Sequence, residues 1–159
     1  MVILGIDPGI ADTGFGIINT DKGIWKAIEY GSIKTSKSND LSERLNILYK
    51  ELNRIIKKHK PDKIGIEQLF FSKNTKTAII VAHARGVALL VASQAKCEIQ
   101  ENTPLQIKQA LTGYGRADKN QIQQMVKTIL NLKEIPKPDD AADALACAIC
   151  SAQTNNKLS

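Results

Sequence analysis

The spacing of hydrophobic positions changes along the chain, and each change predicts a new element of secondary structure. Three apolar runs near the N-terminus are predicted to be strands: Val2–Asp7, Gly14–Thr20 and Trp25–Lys34. The polar stretch Asn19–Gly23, with the sequence NTDKG, is typical of a hairpin turn between the second and third strands. Leucine and isoleucine then recur every three or four residues over Leu41–His59, which predicts an amphipathic helix.

The second half of the chain alternates between predicted strands and helices. In order, these are a strand over Lys63–Phe70, a helix over Thr75–Ala95, a strand over Cys97–Asn102, a helix from Pro104, a helix ending near Leu130 and a helix over Asp139–Gln153. Thr103 and Asp118 each precede a helical segment and are suited to cap it. Three consecutive strands followed by this alternation predict an α/β fold, a five-stranded mixed sheet with helices on both faces.

Length and charge narrow the class of protein. The 159 residues fit one domain, over 1–153, followed by a short polar tail over 154–159. There are 22 lysines and arginines against 16 acidic residues, and the net charge of +6 favours a polyanionic partner such as nucleic acid. An actin-like ATPase needs two domains of this size to close around a nucleotide, so the length counts against that class.

Cysteine and histidine usage predicts no zinc site, and no segment is predicted to cross a membrane. The three cysteines are Cys97, Cys147 and Cys150, and the C-x-x-C pair at 147–150 lies in a helical, alanine-rich segment without the second ligand pair that a zinc site needs. The most apolar stretch, Ala78–Ala95, contains His83 and Arg85 and is interpreted as too polar to span a bilayer. The N-terminus enters a strand without the basic segment of a signal peptide, so we expect a cytoplasmic protein with no membrane partner.

Several acidic residues lie next to apolar segments, where a charged side chain is unfavourable unless it has a binding partner. Asp7 ends the first strand after an apolar run, and Glu67 lies in the fourth strand. Asp139, Asp140 and Asp143 lie at the start of the last helix, where residues three or four apart share one face. Buried carboxylates repel one another unless protons or cations neutralise them. Mg²⁺ takes oxygen ligands, and two such ions about 3.5–4 Å apart can catalyse phosphodiester cleavage.

Simpler explanations exist for several of these residues. Asp139 and Asp140 would stabilise a helix N-terminus through capping and the helix dipole alone. Glu67 fits an ordinary charge at a strand end, whereas Asp7 and Asp143 are harder to explain without a ligand. A strand that runs into an aspartate and a glycine-rich turn also occurs where actin-like ATPases hold the phosphates of ATP. The residues alone therefore leave two chemistries open.

Five segments together carry a resemblance to a known family. They are LGIDPG…TGFG, IEQLFFSKN, ARGVA, IKQALTGYGRADKNQIQQMV and DAADALA. In this order and at these spacings, the chain resembles the RuvC family of bacterial crossover-junction (Holliday-junction) endodeoxyribonucleases. That family belongs to the RNase H-like superfamily, and the resemblance covers nearly the whole chain.

The resemblance implies a fold, a site and a reaction. It implies an RNase H-like fold and a catalytic set of Asp7, Glu67, Asp140 and Asp143, which binds two Mg²⁺ ions per subunit, with Mn²⁺ as a substitute. The family pattern D-A-A-D selects Asp140 over Asp139. It also implies a homodimer that makes paired, symmetric nicks in four-way DNA junctions during recombination and repair. The expected ends are a 5′-phosphate and a 3′-hydroxyl, and the expected partner is the RuvA-RuvB branch-migration complex.

Further residues are expected to contact DNA. Phe70 is expected to stack on an unpaired base at the crossover, with a place in the core as the alternative. Lys108, Arg116 and Lys119 are expected to contact phosphates, with a solvated charge as the alternative for Arg116. Glycines beside Asp7 are expected to let DNA approach the metal. The helix over Thr75–Ala95 is apolar on nearly all sides, which predicts a second subunit on the face that does not pack on the sheet, with burial within a monomer as the alternative.

Three other functions stay open on the sequence. The first is a nuclease of the same fold that acts on another structured or hybrid nucleic acid. The second is a phosphate-binding module of the actin-like kinase class, and the third is a junction-binding protein without catalytic activity.

Overall fold

The computed structural model describes residues 1–69 and 75–154, and its described strands form a five-stranded sheet. The strands are β1 (Val2–Asp7), β2 (Asp12–Asp21), β3 (Ile24–Lys34), β4 (Lys63–Glu67) and β5 (Glu98–Asn102). The helices are α1 (Leu41–His59), α2 (Thr75–Gln94), α3 (Pro104–Thr112), α4 (Lys119–Ile129) and α5 (Asp139–Gln153).

The sheet is mixed, and its order is β3-β2-β1-β4-β5. β1 pairs with β2 and β2 with β3 in antiparallel fashion, whereas β1 with β4 and β4 with β5 are parallel. Ile6 of β1 is opposite Ile66 of β4, so the next residues, Asp7 and Glu67, end two neighbouring parallel strands at the same edge. The predicted five-stranded mixed sheet is confirmed.

Helices cover both faces of the sheet, as predicted. Because side chains alternate along a strand, β1 feeds two cores. Leu4 and Ile6 join the core formed with α1 and α2, while Ile3 joins the core formed with α3, α4 and α5. α5 runs across the centre of the second face, contacting β1, β2 and β4, and is buried along most of its length.

Glycines in the strands allow α5 to lie close against the sheet. A Cβ atom at Gly5 would lie 2.0 Å from the carbonyl oxygen of Ala144, and one at Gly16 would lie 2.8 Å from the side chain of Leu145. Contacts this short are forbidden to a real side chain. The packing of α5 therefore requires glycine on the strand faces beneath it.

Capping residues begin two of the helices as the sequence predicts. The Thr103 hydroxyl accepts a hydrogen bond from the backbone N–H of Gln106, and Oε1 of Gln106 accepts one from the backbone N–H of Thr103. Asp118 and Gln121 form the same reciprocal pair at the start of α4. These boxes satisfy backbone donors that a helix start leaves without partners.

Two predicted boundaries differ from the structure by three residues, and several others differ by one or two. The hairpin turn is shorter than Asn19–Gly23, because β2 continues to Asp21 and only Lys22 and Gly23 turn, at φ angles of 46° and 83°. The fourth strand ends at Glu67 rather than at Phe70, which lies outside the described residues.

α2 has one buried and one exposed face. The buried residues are Ala84, Ala88, Val91 and Ala92, which pack in the core with α1 and the sheet. Among the described residues, Lys76–Gln94 is the one segment with the length and composition to cross a membrane, although core helices of soluble proteins pass the same test. The prediction that His83 and Arg85 make this stretch too polar to span a bilayer is therefore not supported by its composition.

Candidate active site at the carboxyl edge of the sheet

Asp7 and Glu67 are placed by the two central parallel strands. Each is the last residue of its strand, and each follows an isoleucine whose side chain points into the core on the α1 and α2 side. Strand alternation therefore directs both carboxyl groups to the opposite face, where α5 packs. Both strands end at these residues, and the two carboxyl groups line an open cleft.

The first two turns of α5 bring further carboxylates to this edge. Asp143 lines the same cleft as Asp7 and Glu67. The backbone carbonyl of Asp140 packs directly on Gly14, and Gly14 is the register partner of Asp7 in β2. Asp140 is consequently fixed beside Asp7 by main-chain packing.

The expectation that glycines beside Asp7 make room for DNA is wrong for Gly14. A Cβ atom there would lie 2.0 Å from the carbonyl oxygen of Asp140, so α5 fills the space. At Gly9 a Cβ atom would lie 2.2 Å from the carbonyl oxygen of Asp12, inside the turn itself. Both glycines serve tight packing of the chain on itself.

Asp139 differs from its neighbour in position and in contacts. Its side chain is 65% exposed and faces α4. Its Oδ2 atom lies 3.0 Å from Nζ of Lys119, and its Oδ1 atom accepts a hydrogen bond from Nε2 of Gln123 at 3.2 Å. The residues that line the cleft include neither Asp139 nor Asp140.

The cleft has a volume of about 330 Å³ and a mixed lining of charged and apolar residues. Its lining comprises Asp7, Glu67, Pro104, Ile107, Lys108, Ala117, Asp118, Lys119, Ile122, Asp143 and Ala146. The structure thus brings Lys108 and Lys119 to the carboxylates. Arg116 is exposed on the loop between α3 and α4 and is not part of this lining, and Phe70 lies outside the described residues.

The carboxylates disfavour one another's charge. Burial and the nearby charges of Glu67, Asp143 and Asp140 raise the pKa of Asp7 to about 8. Burial and the charge of Asp143 raise the pKa of Glu67 to about 7, against the opposing effects of a hydrogen bond with Asp7 and the charge of Lys108. Burial likewise raises the pKa of Asp143, while Lys119 opposes the increase. The site holds more negative charge than its surroundings neutralise.

This surplus of carboxylate oxygen fits a hard divalent cation. The donors are all carboxylates, which suits Mg²⁺ or Mn²⁺ rather than zinc. In the described part of the chain, no three histidine, cysteine or acidic side chains are gathered closely enough to hold an ion by themselves. Mg²⁺ does not need such a cage, because it commonly binds one or two carboxylates together with water and substrate phosphate oxygens.

A buried polar network that the sequence did not reveal lies behind Glu67. Asn102, opposite Glu67 in β5, is 1% exposed and donates to Oγ of Ser151 at 2.6 Å. Its backbone carbonyl accepts a hydrogen bond from the N–H of Gln68 at 2.8 Å. Asn102 thereby links the end of β4 to α5, and no local pattern marks such a long-range contact.

Comparison with known proteins decides the family. The family model described as crossover junction endodeoxyribonuclease RuvC matches residues 3–151. The chain belongs to the RuvC family. The RuvC of Alkaliphilus oremlandii is 58% identical over 156 residues, which cover 98% of this chain and 95% of that protein. The predicted enzyme class, an endodeoxyribonuclease, is confirmed with the family.

Solved structures agree with this assignment. The Thermus thermophilus RuvC structure is 35% identical, with a TM-score of 0.89, and the match covers 96% of this chain and 93% of that one. T. thermophilus RuvC in complex with a Holliday junction substrate matches at 34% identity and the same coverage, with a TM-score of 0.91. The predicted RNase H-like fold is confirmed, and the actin-like alternative is set aside.

Proposed function

We propose that this RuvC-family chain resolves four-way DNA junctions by paired, symmetric nicks that leave 5′-phosphate and 3′-hydroxyl ends. The observation that carries the proposal is the meeting of Asp7, Glu67 and Asp143 around one open cleft, with Lys108 and Lys119 beside them. The related T. thermophilus RuvC, solved with a Holliday junction substrate, supports the same class of substrate.

Asp7, Glu67, Asp140 and Asp143 are the residues that would hold two Mg²⁺ or Mn²⁺ ions. Such ions, when bound, would activate the attacking water and stabilise the leaving oxygen. Four carboxylates balance the charge of two divalent cations. Because the pKa values of Asp7 and Glu67 are raised, protons must leave these carboxyl groups before both can act as ligands.

Basic residues at the rim bind and orient the DNA backbone in this proposal. Lys108 on α3 and Lys119 at the start of α4 line the same cleft as the carboxylates. A phosphate placed between them and the carboxylates would meet ammonium groups on one side. Arg116, exposed on the α3–α4 loop, extends this basic surface outward, and Phe70 is proposed to stack on an unpaired base.

A second copy of the chain is the proposed partner of α2. The exposed face of this helix presents Ile79, Ala82, His83, Gly86 and Leu90, at the spacing of one helical stripe. Ile79 is 58% exposed and Leu90 is 51% exposed, which is unusual for side chains of this size. Ala82 and Gly86, one turn apart, permit close approach of another helix. A two-fold dimer formed here matches the two-fold symmetry of a four-way junction.

The remaining proposals follow from the family. We propose that residues 1–153 act as one nuclease domain in the cytoplasm, without a membrane partner. The RuvA-RuvB branch-migration complex is the proposed protein partner.

A panel of three labelled substrates tests the proposed function. A four-way junction, a linear duplex and an RNA–DNA hybrid are each incubated in Mg²⁺ and in EDTA, with the wild-type protein and with Asp7→Asn. We expect Mg²⁺-dependent cleavage of the junction only, and none by the variant. Preferential cleavage of the hybrid or the duplex would move the function to another nuclease of this fold. Junction binding without any cleavage would overturn the enzymatic proposal.

A further inference from the structure

Asp139 is held by α4 at both of its carboxylate oxygens. Oδ2 lies 3.0 Å from Nζ of Lys119, and Oδ1 accepts a hydrogen bond from Nε2 of Gln123 at 3.2 Å. Lys119 and Gln123 are four residues apart and so share one face of α4. The start of α4 therefore offers two donors to one side chain at the start of α5.

Lys119 is shared between this exposed carboxylate and one inside the cleft. Its Nζ atom lies 3.5 Å from Oδ2 of Asp143, compared with 3.0 Å from Oδ2 of Asp139. The Asp143 side chain is 29% exposed, whereas that of Asp139 is 65% exposed. The ammonium group thus sits at the rim of the cleft, nearer the carboxylate that lies outside it.

We propose that Asp139 is a positioning residue that draws Lys119 away from Asp143 and so keeps an oxygen of Asp143 available to a divalent cation. The inference rests on the proposed function, in which Asp143 is a metal ligand. An ammonium group and a divalent cation repel each other and compete for the same oxygen. Without a charge on Asp139, Lys119 keeps Asp143 as its ion-pair partner.

The exposure of the pair suits this role. Ion pairs this open to solvent are weak, so Lys119 is free to leave Asp139 when a DNA phosphate arrives. For the same reason the pair adds little to the stability of the fold. Removing it should alter the binding of metal without altering the thermal unfolding temperature.

Two other roles for Asp139 make different predictions. If Asp139 were itself a metal ligand, or acted through its charge alone, its loss would weaken metal binding whether or not Lys119 is present. In the positioning role its effect on metal binding depends on Lys119. A double-mutant cycle separates these cases.

The test is a calorimetric titration of Mn²⁺ into the DNA-free protein. Wild type, Asp139→Asn, Lys119→Met and the double variant are compared, with Glu134→Gln as a control for loss of one exposed negative charge. We expect Asp139→Asn to weaken Mn²⁺ binding about three- to fivefold, the range that an exposed ion pair can supply. Lys119→Met should bind Mn²⁺ more tightly than wild type, and the double variant should match it. Glu134→Gln should bind as wild type does.

Equal weakening by Asp139→Asn in both backgrounds, or no weakening in either, would overturn the positioning role. Asp7→Asn in the same titration separates this failure from that of the proposed function. If Asp7→Asn abolishes Mn²⁺ binding but Asp139→Asn has no effect, only the positioning role fails. If the wild type binds no Mn²⁺, or if Asp7→Asn binds it normally, the metal site and the positioning role fail together.

Discussion

The backbone carbonyl oxygen of Asp140 lies in the space where a side chain at Gly14 would begin. The distance from an ideal Cβ atom at Gly14 to that oxygen is 2.0 Å. Gly14 is also the register partner of Asp7. The absence of a side chain at one strand position therefore sets how closely the start of α5 approaches the end of β1.

Replacement of Gly14 by alanine should displace Asp140 from Asp7. Because the clash involves backbone on both sides, relief requires α5 to move, at a cost of about 1–3 kcal/mol of stability. We expect the folded variant to lose most of its Mn²⁺ affinity and junction cleavage. Gly31→Ala is the control, since a Cβ atom there would meet only the Phe15 ring at 3.2 Å. Wild-type Mn²⁺ affinity in Gly14→Ala would contradict this reading of the packing.

The metal-free protein should lose stability as the pH rises through the neutral range. The pKa of Asp7 is raised from 3.8 to about 8 and that of Glu67 from 4.5 to about 7, so the folded state binds more protons than the unfolded state between these limits. The free energy of unfolding therefore falls with increasing pH across that window. Melting temperatures in EDTA from pH 5 to pH 9 should fall less steeply for Asp7→Asn than for wild type.

Divalent cations provide the complementary measurement. A ligand that binds only the folded state stabilises it, and deprotonated carboxylates bind best. Mn²⁺ should raise the melting temperature of the wild type most at high pH and should have little effect on Asp7→Asn. Identical pH slopes for the two proteins, with identical responses to Mn²⁺, would contradict the electrostatic account.

A charge on the exposed face of α2 should produce monomers. Leu90→Glu places a carboxylate on the proposed dimer surface, whereas Ile24→Glu places one on β3 at a position that is 62% exposed. We expect the first variant to sediment as a monomer and the second to remain dimeric. If both variants remain dimeric, or if the wild type is itself a monomer, α2 is not the dimer interface.

Lys108 should contribute to junction binding through its charge. Lys108→Met is expected to weaken binding and to reduce the slope of log affinity against log salt concentration by about one. Binding is measured by fluorescence anisotropy at several salt concentrations. Lys22→Met, in the turn at the other end of β2 from Gly14, should leave the slope unchanged. An unchanged slope for Lys108→Met would remove this residue from the DNA surface.

The sequence was sufficient to predict the sheet, the order of the elements and the carboxylates at the strand ends. Asp7 stands out because an apolar run stops at a charge, which is a local signal. The choice between Asp139 and Asp140 needed the family pattern, because both suit a helix N-terminus. In the structure the two residues differ in their contacts, because the backbone carbonyl of Asp140 packs on Gly14 whereas the side chain of Asp139 contacts α4.

Contacts between distant parts of the chain were beyond the sequence analysis. Arg44 of α1 donates from Nε to Oγ1 of Thr35 at 2.9 Å, and the Thr35 hydroxyl donates to the carbonyl of Ile10, in the turn after Asp7. Such a chain of contacts depends on how α1 packs over the end of β3. The residue spacing within α1 or β3 does not predict these contacts. The packing of Asp140 on Gly14 is likewise a contact between distant parts of the chain.

The most direct test of the account is the cleavage of a supercoiled plasmid that extrudes a four-way cruciform. Paired nicks across the junction convert this plasmid to a linear form, whereas a single nick gives an open circle. With Mg²⁺, we predict linear product from the wild type and intact supercoiled plasmid from Asp7→Asn. Open circles as the only wild-type product, or linear product from Asp7→Asn, would contradict paired cleavage at the carboxylate cleft.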